Sequence, residues 1–223
     1  MIFWISIGLS LYCIFKTKKM GSLNRWDMFF LLSSWQVFNL KIWQRYLSQF
    51  VSTPYEASAV ILIALALLYG KKRKISLGFG FSQKDLLIVF NSITVLAAIL
   101  IPLGLYLEFL KINANPDFRK VLAVAAGYLL FVAPSEELIF RGILQNLLEK
   151  TFRPLPALVL ATAAFALIYT HLSGNGIFPN WTYVGFAFLA GLAYGISYLK
   201  SKNILIPILI HGLVDTIWKV FFN

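Results

Sequence analysis

Apolar runs of bilayer length recur from one end of this chain to the other. A helix needs about 20 predominantly apolar residues to cross the hydrocarbon of a membrane. In lipid a backbone N–H or C=O finds no water, so such runs must close their own hydrogen bonds, as helices do. Eight spans follow: residues 2–15, 27–44, 55–69, 85–109, 118–149, 154–171, 181–199 and 203–222. Composition agrees, with 59% hydrophobic and 13% charged residues against about 45–50% and about 25% in soluble domains. The expected fold is all-α, a polytopic helical membrane protein. The second span is the weakest, because Gln36, Asn39 and Lys41 interrupt it.

A net charge of +11 would point to nucleic acid in a soluble protein. Here loop Lys and Arg orient the chain in the bilayer, and no nucleic-acid partner is expected. Of the 20 Lys and Arg, 13 fall in residues 16–25, 70–84, 149–153 and 200–202, which eight spans place on one side. Six fall on the other, and Arg141 lies within a span. The richer side is read as cytoplasmic, with both termini outside. The first span has no basic residues before it and no small-residue cleavage site after it, so it reads as a retained anchor. One cysteine, Cys13, excludes a disulfide framework and a cysteine metal cluster. Without repeats or low-complexity linkers, residues 1–223 read as a single membrane domain.

One span is not built only for hydrocarbon. "VAPSEELIFRGIL", residues 132–144, carries Glu136, Glu137 and Arg141. Ionisable groups at this depth cost about 2.5–3.5 kcal/mol each and mark functional sites by default. Glu137 and Arg141 stand i,i+4 with the acid first, the favourable order for a pair. Glu136 lies about 100° around the helix and points elsewhere. Pro134, which lacks an N–H, is expected to kink the helix. Both histidines fall on the following helices. Glu136 is 17 residues before Arg153 and His171 is 18 after it, so an antiparallel hairpin brings them level. His211 precedes Asp215 by four residues, on one face. Three helices thus offer Glu, His and His–Asp to one point. The bland alternative is a polar clasp between helices. For Gly185, Gly191 and Gly195 of the seventh span, the expectation is close helix packing.

"EELIFR" (136–141) resembles the E-E-x-x-x-R motif of the CPBP, or Abi, family of membrane proteases that process CAAX proteins and bacteriocins. "HGLVD" (211–215) resembles that family's H-x-x-x-N/D motif. The likeness runs from about residue 118 onward, making 118–223 a motif-bearing protease core and 1–117 a variable set of helices. The middle motif, F-x-x-x-H, departs: Leu167 stands four residues before His171, and Phe165 two further back.

The resemblance implies an intramembrane endopeptidase whose site holds Glu136, Glu137, Arg141, His171, His211 and Asp215. It implies that Glu136 is the general base on a water that His171 helps to hold, while His211 and Asp215 stabilise the oxyanion. The substrate class it implies is a membrane-associated, prenylated or leader-type peptide, met in the bilayer, in the plasma membrane if the source is prokaryotic. Two histidines and a carboxylate could also hold zinc or another divalent metal. H-E-x-x-H is absent, so no cofactor is the preferred expectation. Two other functions are weighed: a non-catalytic immunity or scaffold protein of the same fold, and a cation or proton transporter, which lacks the inverted repeat expected of one.

Overall fold

The computed structural model describes residues 2–17, 23–38, 55–113, 116–171 and 179–222. Eight helices account for most of them: α1 (Ile2–Lys16), α2 (Arg25–Phe38), α3 (Tyr55–Arg73), α4 (Gln83–Tyr106), α5 (Phe118–Glu149), α6 (Pro154–Leu167), α7 (Trp181–Ser201) and α8 (Leu205–Phe221). Among the described residues the only β-type pairing is an isolated bridge between Ile112 and Phe222. The all-α expectation holds, and each apolar run forms a helix within a few residues of its expected bounds. Residues 39–44 of the second run, with Asn39 and Lys41, lie outside the described residues.

The expected count of eight crossings is reduced to a firmer statement. Among the described residues three helices, α4, α5 and α7, are long and apolar enough to cross a membrane, while Trp4–Lys16 and Pro154–Thr170 are apolar but shorter. Many large apolar side chains face outward, among them Leu86, Leu87, Phe90, Val95 and Ile99 on α4. That outward face is what lipid, unlike water, leaves at no cost.

Local chemistry sets several boundaries. Ser82 and Asp85 form a reciprocal box at the start of α4: the Asp85 amide donates to Ser82 Oγ, and the Ser82 amide donates to Asp85 Oδ2 at 2.8 Å. Pro154 opens α6, where a missing N–H costs nothing. At the start of α7 the Tyr183 amide donates to Asn180 Oδ1 at 3.0 Å, and the helix ends at Lys202 in the left-handed conformation.

α5 is not uniform. Tyr128–Val132 and Leu138–Gln145 are π-helical and flank the α-helical turn Ala133–Glu137. Sequence reasoning expected a kink at Pro134; the structure resolves the problem as wider turns on both sides of it. π-turns inside α-helices are rare and concentrate at functional sites. In the second, the Asn146 side-chain amide donates to the Arg141 and Gly142 carbonyls, both at 3.0 Å.

The four loop regions read as sharing one side do meet at one end. Ile204 N donates to the Leu77 carbonyl at 2.9 Å, the Asn203 amide group donates to the Gly80 carbonyl, and Lys202 pairs with Glu149 at 3.1 Å. Gly78 has φ +62°, and a Cβ there would strike the Lys202 carbonyl oxygen, so glycine is required on both counts. Below this seam lies a buried cluster between α2 and α3. Asp27 pairs with Arg73 at 3.1 Å and accepts from Thr17 Oγ1, the Asn24 amide and the Tyr69 hydroxyl. Partial burial, and then the nearby Arg73 cation, hold the Lys150 ammonium below its usual range, which places the end of α5 beside the same cluster.

Candidate active site

The site is built on α5, where Glu136 and Glu137 close the α-helical turn and Arg141 lies in the π-turn after it. All three are buried, at 4%, 0% and 0% exposure. Arg141 Nη1 donates to Glu137 Oε1 at 2.9 Å, so the expected i,i+4 pair is present. The guanidinium does more than neutralise. Its Nη2 donates to the Gly191 carbonyl of α7 at 3.0 Å, and its plane lies over Phe165 at 4.3 Å and near Tyr194 at 5.4 Å. Gly191 permits this approach, since a Cβ there would lie 3.0 Å from Arg141 Nη2 and 2.9 Å from Phe165. One turn on, Gln145 Nε2 donates to the Gly195 carbonyl at 3.4 Å. The glycine stripe is close packing, as expected, and also bares two carbonyls for α5. Gly185 takes no part, since a methyl group added there would meet nothing within 4 Å.

His211 of α8 is 1% exposed and stacks on Tyr194, with ring centroids 4.7 Å apart. Its Nδ1 lies 2.7 Å from Glu137 Oε1. Glu137 thus serves Arg141 on one side and His211 on the other, a link that sequence reasoning did not find. Because Arg141 donates to the same carboxylate oxygen, Glu137 is the acceptor and Nδ1–H the donor. That fixes the ring and turns Nε2 towards Glu136 Oε2 at 3.8 Å and Asp215 Oδ2 at 3.4 Å. Asp215, at 26% side-chain exposure, is the open member of the group.

Glu136 has no Arg or Lys partner among the described residues. Its Oε2 accepts from the Tyr169 hydroxyl at 2.6 Å. Tyr169 belongs to the 3-10 turn Ile168–His171 that prolongs α6. The His171 side chain lies outside the described residues, although its backbone ends that turn. Leu167, where the family motif has phenylalanine, is 40% exposed and faces away from the group. Phe165 supplies the inner aromatic surface, 1% exposed and edge-on to His211.

Residues 118–217 match the family model described as type II CAAX prenyl endopeptidase, Rce1-like. Over that segment, somewhat under half of its length, the chain is similar to the Rce1-like family. No curated protein and no solved structure matches the chain. The Rce1-like segment begins at α5, ends within α8, and contains Glu136, Glu137, Arg141, His171, His211 and Asp215. It also contains Gly191, read from the sequence only as a packing glycine, and Tyr169 and Tyr194, which carry the geometry but no part of the motifs read from the sequence. Phe165 and Tyr169 stand i,i+4 on α6 with rings 5.3 Å apart, and that spacing was the one available signal for Tyr169. Among the described residues of the Rce1-like segment, as elsewhere, no three His, Cys, Asp or Glu side chains are grouped to hold a metal ion.

Proposed function

We propose that this protein is a multi-pass intramembrane endopeptidase that hydrolyses a peptide bond in a membrane-associated, CAAX-type prenylated substrate, using a water activated by Glu136. The observation that carries the reading is the division of labour between two adjacent acids. Glu137 is consumed by Arg141 and His211, whereas Glu136 is held by a neutral phenol and keeps its basicity for a substrate water. The family match over 118–217 supports the reaction class.

In this mechanism Glu136 takes a proton from water as the water oxygen bonds to the scissile carbonyl carbon. The carbonyl oxygen becomes an oxyanion. His211, as an imidazolium with Nδ1–H on Glu137, offers Nε2–H to that oxyanion, and Asp215 steadies the cationic ring. Collapse of the tetrahedral intermediate breaks the C–N bond, and Glu136 returns its proton to the departing amine. His171 is assigned to holding the water with Glu136. Arg141 and Glu137 never meet substrate; they fix the tautomer and direction of His211, as the acid does in a serine-protease triad. The end of the bundle rich in Lys and Arg is assigned to the cytoplasm.

Purified protein in nanodiscs, given a fluorogenic peptide ending in a prenylated CAAX sequence, tests the reading. Cleavage is expected with wild type and not with Glu136→Ala. Equal cleavage by the two proteins would remove Glu136 from the chemistry.

A further inference from the structure

We propose that Tyr169 is a positioning residue for Glu136: its hydroxyl fixes one carboxylate oxygen so that the other is presented to water. The inference rests on the reading of Glu136 as the base, and adds a residue that none of the sequence motifs contains.

The geometry leaves Tyr169 little freedom. Its ring stacks on Tyr183 with centroids 5.1 Å apart and planes 9° apart, and meets the edge of Phe165 at 5.3 Å. Tyr183 in turn stacks on Trp218 of α8 at 5.5 Å, and both pack edge-on against Phe109. The phenol is therefore anchored by a column of rings drawn from α6, α7 and α8. From that anchor its O–H reaches Glu136 Oε2 at 2.6 Å, within the short range typical of a hydroxyl on a carboxylate.

A glutamate has three side-chain torsions, and free rotation would spread its lone pairs over many directions. Among the described residues His211 does not fix it: its Nε2 is 3.8 Å away, too far for a hydrogen bond. The Tyr169 hydroxyl is the short contact that pins Oε2. Oε1 then becomes the proton acceptor, and the phenol stays bonded to Oε2 before and after proton transfer. No proton leaves Tyr169 in the cycle. A misplacement of the base by about 1 Å can cost about a hundredfold in rate.

Tyr169→Phe separates this role from packing, because it keeps the ring column and removes only the hydroxyl. With the prenylated CAAX peptide as probe, kcat is expected to fall about 10- to 100-fold while KM stays within about twofold. The thermal midpoint is expected to match wild type. A kcat equal to that of wild type would overturn the proposal, as would a fall in kcat matched by a loss of folded protein. Infrared spectroscopy supplies a readout independent of turnover. The carboxyl band that disappears in Glu136→Gln is expected to shift in Tyr169→Phe, and an unmoved band overturns the contact. Should wild type fail to cleave the peptide while that band still shifts, the endopeptidase reading fails and the Tyr169–Glu136 contact stands.

Discussion

Arg141 concentrates several interactions in one buried cation: Glu137, the Gly191 carbonyl and the faces of Phe165 and Tyr194. Arg141→Ala should cost about 3–5 kcal/mol, the usual loss when one member of a buried ion pair is removed. Glu137→Gln in the same background should restore only part of it. Gln can still accept from His211, but the Gly191 carbonyl has lost its strongest donor. Thermal midpoints of the single and double variants in nanodiscs measure both effects, and full rescue would show that the Gly191 bond contributes nothing. A second expectation at this scale concerns metal. Because the sequence lacks H-E-x-x-H, cleavage is expected to survive dialysis against a strong chelator; activity lost there and regained with zinc would overturn the metal-free mechanism. The Glu137–Arg141 pair was legible in the sequence because helix geometry alone sets i,i+4 neighbours. The Glu137–His211 bond was not, since it depends on how α8 is rotated against α5. Tyr169 was hidden differently: in a chain with ten tyrosines, its i,i+4 spacing from Phe165 marks a shared face but not the acid that the hydroxyl meets.

Among the elements, α5 departs furthest from what its sequence announces. Hydropathy locates the helix, and Pro134 marks a disturbance, but the π-turns Tyr128–Val132 and Leu138–Gln145 follow from tertiary demands. The second is supported by the Asn146 amide, which donates to two of its carbonyls and also bonds Tyr198 Oη at 2.6 Å. Opposite it, α7 contributes bare backbone at Gly191 and Gly195. Gly191→Ala would bring a methyl within 2.9–3.0 Å of Phe165, Arg141 and Thr162. Overpacking of this kind typically costs about 1–3 kcal/mol, and here it also pushes Arg141 from its carbonyl. Gly185→Ala, whose methyl would meet nothing within 4 Å, should be silent. Paired melting curves decide the matter: since Ala is the better helix former, equal midpoints for the two variants would show that the α5–α7 contact tolerates the methyl at 191.

For the molecule as a whole, the apolar runs were sufficient to place nearly every helix, because lipid permits few other ways to satisfy a backbone. Which loops share an end was legible from the alternation of the apolar runs. The way the variable helices attach to the Rce1-like segment was not. In the sequence Arg73 counts only as a loop charge and nothing singles out Asp27, yet both are fully buried and gather Thr17, Asn24 and Tyr69 around them. Asp27→Ala removes the acceptor these groups share and should cost about 3–5 kcal/mol. Because the cluster joins α2 to α3 beside Lys150, the loss should first appear as faster protease cutting near residues 17–24, ahead of any change at the site. Unchanged digestion there would show that the cluster does not hold the N-terminal helices.

The seat of Gly78 against Lys202 has a consequence in time. A ribosome completes residues 75–80 some 120 residues before it makes Asn203 and Ile204, which receive them. Until the α7–α8 hairpin arrives, that early segment lacks the hydrogen bonds it exchanges with Tyr198, Asn203 and Ile204, and α4 follows an unfinished hinge. Nascent chains stalled before Ile204 should therefore be cut by protease within 75–80, and chains released at full length should resist. The two halves of the protein are thus locked together only once the later of them has been made.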